Sequence, residues 1–375
     1  MKLWLLMSRL GNGGLERVQI NLANAFQKVG HDVCILAGQV ENSAANGARI
    51  EVPVTQVAKS GAWQFIFGLI ACLRKAQPDC ILTTSNDVAC LTLMLRPLLA
   101  PAAKVIVTQH LSLSGPLLHA RGLSRLKLRL IYAAMRWLLP RADAVIAVSE
   151  GVADDIADTL YIERGTIDVV YNPIVTPNFT DLLRELILWP WTDENTPVIV
   201  FIGRLSREKR LDLLLAACRP LLESDAARLL VVGSGPQRDW LEAQIEARGL
   251  ASKCHFTGFV HNVLPFIVRS NVLVLPSDYE GFGNVLVEAM ACGVQVISTD
   301  CPHGPAEILA GGVYGQLVRP GNRSSLEEAI RRSLEGTFRV DPDVLVKRAG
   351  DFDLETATTS YLSIVTRVVK QANKA

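Results

Sequence analysis

The chain has 375 residues, of which 49% are hydrophobic and 20% charged, with 38 Lys and Arg against 37 Asp and Glu. That length accommodates about two domains of ordinary size, and the composition excludes a disordered or fibrous chain. The near-neutral balance excludes a general nucleic-acid binder, which carries a marked basic excess.

Short apolar runs alternate with longer amphipathic ones from end to end. Strands are predicted at 3–7, 33–37, 80–84, 105–108, 144–148 and 168–171, and a second series at 198–202, 229–232, 255–257, 272–275 and 294–298. Helical spacing fills most gaps, as at 15–29 and 211–222. Such alternation points to parallel sheets with right-handed crossovers, and the two series to two Rossmann-like domains. We place these at 1–175 and 190–350. The segment 172–197, with four prolines, reads as the connection. A last helix, 354–372, is expected to pack back on the first domain.

The eight cysteines stand singly with no Cys-x-x-Cys pair, which suits buried reduced thiols and a cytoplasmic setting. The opening MKLWLLMSRL is too short for a signal-peptide core, and no run reaches the roughly 18 apolar residues of a membrane span.

Ligands of open parallel sheets bind outside the carboxyl ends of strands, so the residues after each strand carry the information. Gly13 and Gly14 follow the first strand and open a helix, where backbone and helix terminus favour a close anion or serve as an ordinary turn. Their spacing is not Gly-x-Gly-x-x-Gly, and Glu41 comes too late to read a dinucleotide ribose. Arg204 and Lys209 follow 198–202, where fixed cations would meet charge growing on a departing phosphate. Gly235, in the turn 233–236, suits either a structural or a ligand turn. After 272–275 come Glu280, Gly281, Phe282 and Gly283, then a helix from Asn284 that carries Glu288. A helix N-terminus there directs free N–H groups at a ligand. Loop and helix hold the two carboxylates apart, as suits two hydroxyl-bearing ends of one extended ligand.

The ordered set GGLER (13–17), VSEGV (148–152), YNP (171–173), GRLSREK (203–209), VGSGP (232–236), FTGF (256–259) and the Glu-x7-Glu segment 280–288 resembles glycosyltransferase family 4 over nearly the whole chain. These are retaining enzymes of the GT-B fold, two Rossmann-like parallel-sheet domains facing a cleft. The resemblance implies that Arg204 and Lys209 hold the diphosphate of a nucleotide sugar and Glu288 the ribose. It places Glu280 on the donor hexose, helped by the backbone of 281–283, with Gly13 and Gly14 beside the phosphates. His110, in VTQH, matches a family histidine near the transferred sugar. Segment 298–309 is similar to enzymes of lipopolysaccharide, capsule and exopolysaccharide synthesis, with Ala306 where that subset often has Arg.

The implied reaction moves a hexosyl or N-acetylhexosaminyl group, with uridine diphosphate the commonest carrier, to a saccharide or lipid-linked glycan. Retention implies that the departing phosphate takes the acceptor proton, so no protein base is named. No cofactor and no metal are expected. The Asp-x-Asp pairs at 341–343 and 351–353 fall in the tail and read as turn and cap carboxylates. A sugar-nucleotide epimerase and a silent partner subunit are the alternatives.

No acid occurs between Asp87 and Asp143, and 121–141 reads as a basic amphipathic helix. Such a helix rests on an anionic membrane surface or packs on the core with solvated arginines. Lipid-linked acceptors favour a peripheral place on the inner face of the cytoplasmic membrane.

Overall fold

In the computed structural model, which describes residues 1–11, 13–41, 49–58, 61–193 and 195–372, thirteen strands form two wholly parallel sheets. Asn12 of the first glycine turn and Glu194 of the connection lie outside the described residues. The chain divides into two units, Met1–Pro173 with Leu354–Ala375, and Ile174–Asp353.

The first unit holds β1 (Lys2–Leu10), β2 (Asp32–Val40), β3 (Val54–Gln56), β4 (Cys80–Thr83), β5 (Lys104–Gln109), β6 (Ala144–Ala147) and β7 (Ile167–Val169). Their order is β3-β2-β1-β4-β5-β6-β7. The crossovers are α1 (Gly14–Lys28), α2 (Ala62–Lys75), α3 (Asn86–Leu99), the short α4 (Ser114–His119), α5 (Gly122–Leu138) and α6 (Glu150–Leu160). The central strands are apolar because a parallel sheet is covered on both faces; every residue of β4 and β6 is buried. The chain runs outward from β1 to β3, then returns to pair β4 with β1, in the register Leu3 to Cys80. That reversal makes the β1–β4 junction the switch point of the sheet.

The C-terminal helix Leu354–Ala372 belongs to this unit. Its fully buried Tyr361 meets Phe26 of α1 edge to face at 6.3 Å, and Arg367 pairs with Asp168 of β7. Burial raises the Tyr361 hydroxyl well above the ordinary tyrosine range, against a smaller pull from its bond to Thr108.

The second unit holds β8 (Val198–Ile202), β9 (Arg228–Val232), β10 (Cys254–Gly258), β11 (Val272–Leu275), β12 (Gln295–Thr299) and β13 (Gln316–Val318), in the order β10-β9-β8-β11-β12-β13. Its helices are α7 (Phe179–Leu183), α8 (Leu211–Glu223), α9 (Arg238–Glu246), α10 (Leu264–Val268), α11 (Asn284–Ala291), α12 (Pro305–Ile308), α13 (Arg323–Leu334) and α14 (Pro342–Ala349). Here the switch point lies between β8 and β11, whose register matches Val200 with Leu273.

Two strands escape the sequence pattern, β3 and β13. Both are edge strands of three residues, and β3 is exposed along its length, so neither shows the apolar run of a central strand. The segment expected as a bare connection carries α7 and packs onto the second unit from Ile174 on. The Ile174 N–H donates to Phe352 O at 2.9 Å, Asn262 donates to Leu182 O at 2.7 Å, and Arg228 pairs with Asp193 at 3.1 Å.

Tyr361→Ala removes a large, fully buried ring, and such truncations cost about 3–5 kcal/mol. We expect the first unit's unfolding free energy to fall by that amount and its urea midpoint to drop accordingly, with the second unit's unchanged.

Candidate active site

In the second unit the loops after β8, β9, β11 and β12 gather at the carboxyl edge of the sheet. The β8 loop leaves through Gly203 and interlocks with the β9 loop. Leu205 N–H donates to Ser234 O at 2.9 Å, and Gln237 N–H to Leu205 O at 2.8 Å. A Cβ on Gly233 would stand 2.0 Å from Gly203 O, and one on Gly235 2.4 Å from Leu205 O. Backbone on backbone therefore demands both glycines, which gives Gly235 a structural reason that its sequence context left open.

The β8 loop is also bound to the β11 loop across the switch point. Asp278 N–H donates to Glu208 O at 2.7 Å, and Arg210 reaches Asp278 at 2.9 Å while holding Asp212 at 2.9 Å. These bonds, with that to Asp212 the largest, raise the Arg210 guanidinium further above its ordinary range. Lys209 Nζ lies 2.5 Å from Glu280 Oε1, and Ser277 Oγ donates to the same oxygen at 2.6 Å. Lys209 is only 18% exposed and Glu280 11%, so the pair is shielded and stronger than a surface bridge. Arg204 is exposed and makes no side-chain ion pair or hydrogen bond among the described residues.

Around this pair Tyr279 and Cys301 are both pushed up to about 12, first by burial and then by neighbouring carboxylates. For Tyr279 these are Glu208, Glu280 and Asp278; for Cys301 it is Glu280, with Thr299 and Lys209 pulling the other way. Both stay protonated near neutrality and so add no charge to those of Arg204, Lys209, Glu208, Glu280 and the Arg210 network.

Gly281, Phe282 and Gly283 lead into α11, with Gly283 at φ +102° as its N-cap and Asn284 its first residue. The buried Phe282 ring packs edge-on against Phe352 at 5.5 Å, which fixes the loop. Gly304, at φ +92°, lets the β12 loop close beneath it: a Cβ there would stand 2.1 Å from Phe282 O. Glu288 lies on the buried side of α11, and its charge helps burial push the Cys292 thiol up to about 12.

In the first unit Gly13 caps α1 with no side-chain cap bond. A Cβ on it would stand 2.3 Å from Glu16 Oε2, so the helix places its own carboxylate at the terminus where an anion was expected. Gly14 is the first helical residue. His110 follows β5 and is buried, with Nε2 3.1 Å from the Gln19 carboxamide nitrogen of α1. Burial drives its pKa down to about 4, against a smaller opposite pull from Asn172. This imidazole is neutral and held in place rather than open as an acid. Sequence reasoning missed Gln19, Ser277, Asp278 and Arg210, and gave Asn172 of the YNP motif no role; the signal for Ser277, Asp278 and Arg210 was their position in loops after strand ends.

Among the described residues, no three His, Cys, Asp or Glu side chains gather to hold a metal ion. Asp341 caps α14 by accepting from Asp343 N–H at 2.8 Å, and Asp351 pairs with Arg348 at 2.8 Å.

The chain is similar in fold to proteins of known structure. The lipopolysaccharide outer core galactosyltransferase WaaB matches with a TM-score of 0.71 at 20% identity, over 98% of this chain and 99% of that one. Anabaena HepE in complex with UDP and glucose matches with a TM-score of 0.78 at 18% identity, over 98% and 100%. The fold is GT-B. Residues 12–176 match Glycosyltransferase Family 4, and 190–348 match Glycosyl transferases group 1. The 2-deoxystreptamine glucosyltransferase of Streptomyces kanamyceticus is 30% identical over 313 residues, 79% of this chain and 80% of that one. With that coverage, the chain belongs to glycosyltransferase family 4.

Shorter matches include the 2-deoxystreptamine N-acetyl-D-glucosaminyltransferase of Streptomyces fradiae, 36% identical over 46% of this chain and 42% of that one. The N-acetylgalactosamine-N,N'-diacetylbacillosaminyl-diphospho-undecaprenol 4-alpha-N-acetylgalactosaminyltransferase of Campylobacter jejuni is 29% identical over 53% and 52%. The chain spans about half the length of these two relatives.

The folded chain takes up the His110 proton only near pH 4, whereas the unfolded chain takes it up near the ordinary 6.5. Stability tied to the neutral imidazole is therefore whole above pH 6.5 and is lost as pH falls towards 4, by about 3 kcal/mol. Urea unfolding at pH 7 and pH 4.5 should show a smaller loss for His110→Asn than for the unaltered chain.

Proposed function

We propose that this chain moves a hexosyl or N-acetylhexosaminyl group from a nucleotide-diphosphate sugar, in first place a UDP-sugar, with retention at the anomeric carbon. The acceptor we propose is a lipopolysaccharide core, an O-antigen or another lipid-linked or surface polysaccharide. The observation that carries this reading is the shielded Lys209–Glu280 pair beside the exposed Arg204, all at the switch point of the second sheet.

In that reading the second unit binds the donor and the first the acceptor. The donor diphosphate draws Lys209 away from Glu280 and adds Arg204, while the freed Glu280 accepts a hydrogen bond from a hexose hydroxyl. The N-terminus of α11 and the backbone of 281–283 face the donor, and Glu288 the ribose. Gly235 lines the nucleotide side, and for the first unit the family resemblance assigns Gly13 and Gly14 to the phosphates and His110 to the transferred sugar. The bond from the anomeric carbon to the phosphate oxygen breaks, and the acceptor oxygen bonds to the same face of the sugar. The acceptor proton passes to the departing phosphate, so the protein supplies charge and orientation rather than a base. Positive side chains do the work of a divalent ion.

Support comes from relatives that are named as hexosyl- and N-acetylhexosaminyltransferases. One of these is named for a diphospho-undecaprenol acceptor, and HepE is seen with UDP and glucose. A lipid-linked acceptor sets the work at the cytoplasmic face of a membrane, where the basic segment 121–141 would rest.

The test is a panel of nucleotide sugars with and without acceptor, in the presence and absence of EDTA. Release of nucleoside diphosphate should need acceptor and should survive EDTA. Arg204→Ala and Lys209→Ala should each lower kcat/KM by roughly a hundredfold to a thousandfold. Activity abolished by EDTA and restored by a divalent ion would overturn the metal-free reading, and conversion of donor alone would replace transfer by epimerisation.

A further inference from the structure

One buried carboxylate of the first unit has no part in the transfer chemistry. Asp155 lies in the middle of α6 and is shielded from solvent. Its Oδ2 accepts from the N–H groups of Leu113 at 2.5 Å and Ser114 at 3.1 Å, and from Ser112 Oγ at 3.1 Å. Its Oδ1 accepts from Thr159 Oγ1 at 3.3 Å, one turn further along the same helix. Ser112 Oγ in turn accepts from Gly115 N–H at 2.8 Å. Directly or through Ser112, this carboxylate takes up the consecutive N–H groups of Leu113, Ser114 and Gly115, where the chain turns into α4.

Taking a carboxylate out of water costs more than a helix cap contributes, so capping the short α4 is not a sufficient reason for it. A serine or aspartate in place of Leu113 would serve such N–H groups locally, but Leu113 makes no side-chain cap bond and is fully buried. A local cap moves with the turn it caps. Asp155 instead ties the turn to α6, whose own start is fixed by Ser149 Oγ accepting from Val152 N–H at 3.1 Å. What the turn carries is His110. Only Leu111 and Ser112 separate that histidine from Leu113, and the Leu111 carbonyl accepts from Gln109 Nε2 at 2.6 Å. The ring itself meets Gln19 of α1 at 3.1 Å. His110 is thus gripped by α1 through its ring and by α6 through the backbone that follows it. The carboxylate does not act through its field: burial and Asn172 set the His110 pKa, and Asp155 is not among the influences on it.

We infer that Asp155 is a positioning residue of the transfer site, holding the turn 111–114 so that the His110 ring keeps its place against Gln19. Its part in transfer rests on the proposed assignment of His110 to the transferred sugar. The hold on His110 is measurable with no sugar present, so the two can fail separately.

The experiment has two arms, both on the full chain. In the first, the ring proton of His110 is followed by NMR as pH falls, with H110N identifying its signal. The unaltered chain should titrate near pH 4. In D155N a loosened turn admits water to the ring, and the midpoint should rise towards the ordinary 6.5. The sign is decisive, because loss of a nearby negative charge by itself only lowers a histidine's midpoint. S112A, which removes one bond and keeps the carboxylate, should raise it by less, and it carries the test alone where D155N does not fold. In the second arm, D155N should lower kcat by about tenfold with donor KM within about twofold. Added to H110N it should cost nothing further in kcat, since it acts through that ring. A purely structural role predicts less folded protein, with the His110 midpoint and the kcat of the folded fraction unmoved. A midpoint that neither variant raises, or a kcat loss that adds in full to that of H110N, overturns the inference. A raised midpoint in a chain that turns over no donor upholds the hold on His110 and overturns the transfer reading instead.

Discussion

The second unit is organised around one shielded ion pair. Lys209 and Glu280 stand on loops that follow β8 and β11, which are adjacent in the sheet though far apart in the chain. Neither charge is comfortable without a partner at such low exposure, so each holds the other's loop in place. Around them Arg210 with Asp278, Glu208 O with Asp278 N–H, and Ser277 with Glu280 bind the same two loops together. In the proposed function, an incoming diphosphate and a sugar hydroxyl each replace one partner of this pair. In that proposal one set of charge-assisted bonds is exchanged for another.

The glycines of this edge follow the same logic of close approach. Gly233, Gly235 and Gly304 are glycines because another backbone oxygen stands within 2.4 Å of where their Cβ would be. The result is a set of loops packed against one another, with the buried ring of Phe282 set against Phe352 as an anchor. The first unit uses different means. Its histidine is buried, neutral and held by Gln19, and the N-terminus of its first helix is faced by Glu16. The two units thus share a sheet architecture and differ in electrostatics: the second holds a shielded ion pair at its edge, whereas the Arg9–Glu41 pair at the ends of β1 and β2 in the first is far more exposed.

How far the site was legible depended on whether a residue's role is local. Arg204, Lys209, Glu280 and the Gly281–Gly283 turn were readable because each follows directly from a strand end, and strand ends show as the limits of apolar runs. Gln19 was not, since it lies inside a helix and meets His110 only after β1 and β5 take their places with β4 between them. The apolar faces of α2 and α3 were hidden for the opposite reason. Trp63, Phe67, Met94 and Leu98 look like core residues in the sequence, and only the finished layer shows that they point outward.

The alternation of apolar runs and amphipathic helices by itself determined two parallel α/β sheets, because each run has the length and pattern of a strand covered on both faces. It also determined which turns carry the polar groups, since chemistry at the carboxyl ends of strands is a consequence of chain direction. Only the tertiary structure decided strand order, and with it that Lys209 meets Glu280 across the switch point. Pairing between residues 71 positions apart depends on sheet register, to which no local pattern is sensitive. Burial decided the rest: the same histidine, tryptophan or glutamate means different things inside and outside a packed layer, and that distinction exists only once the layers have formed.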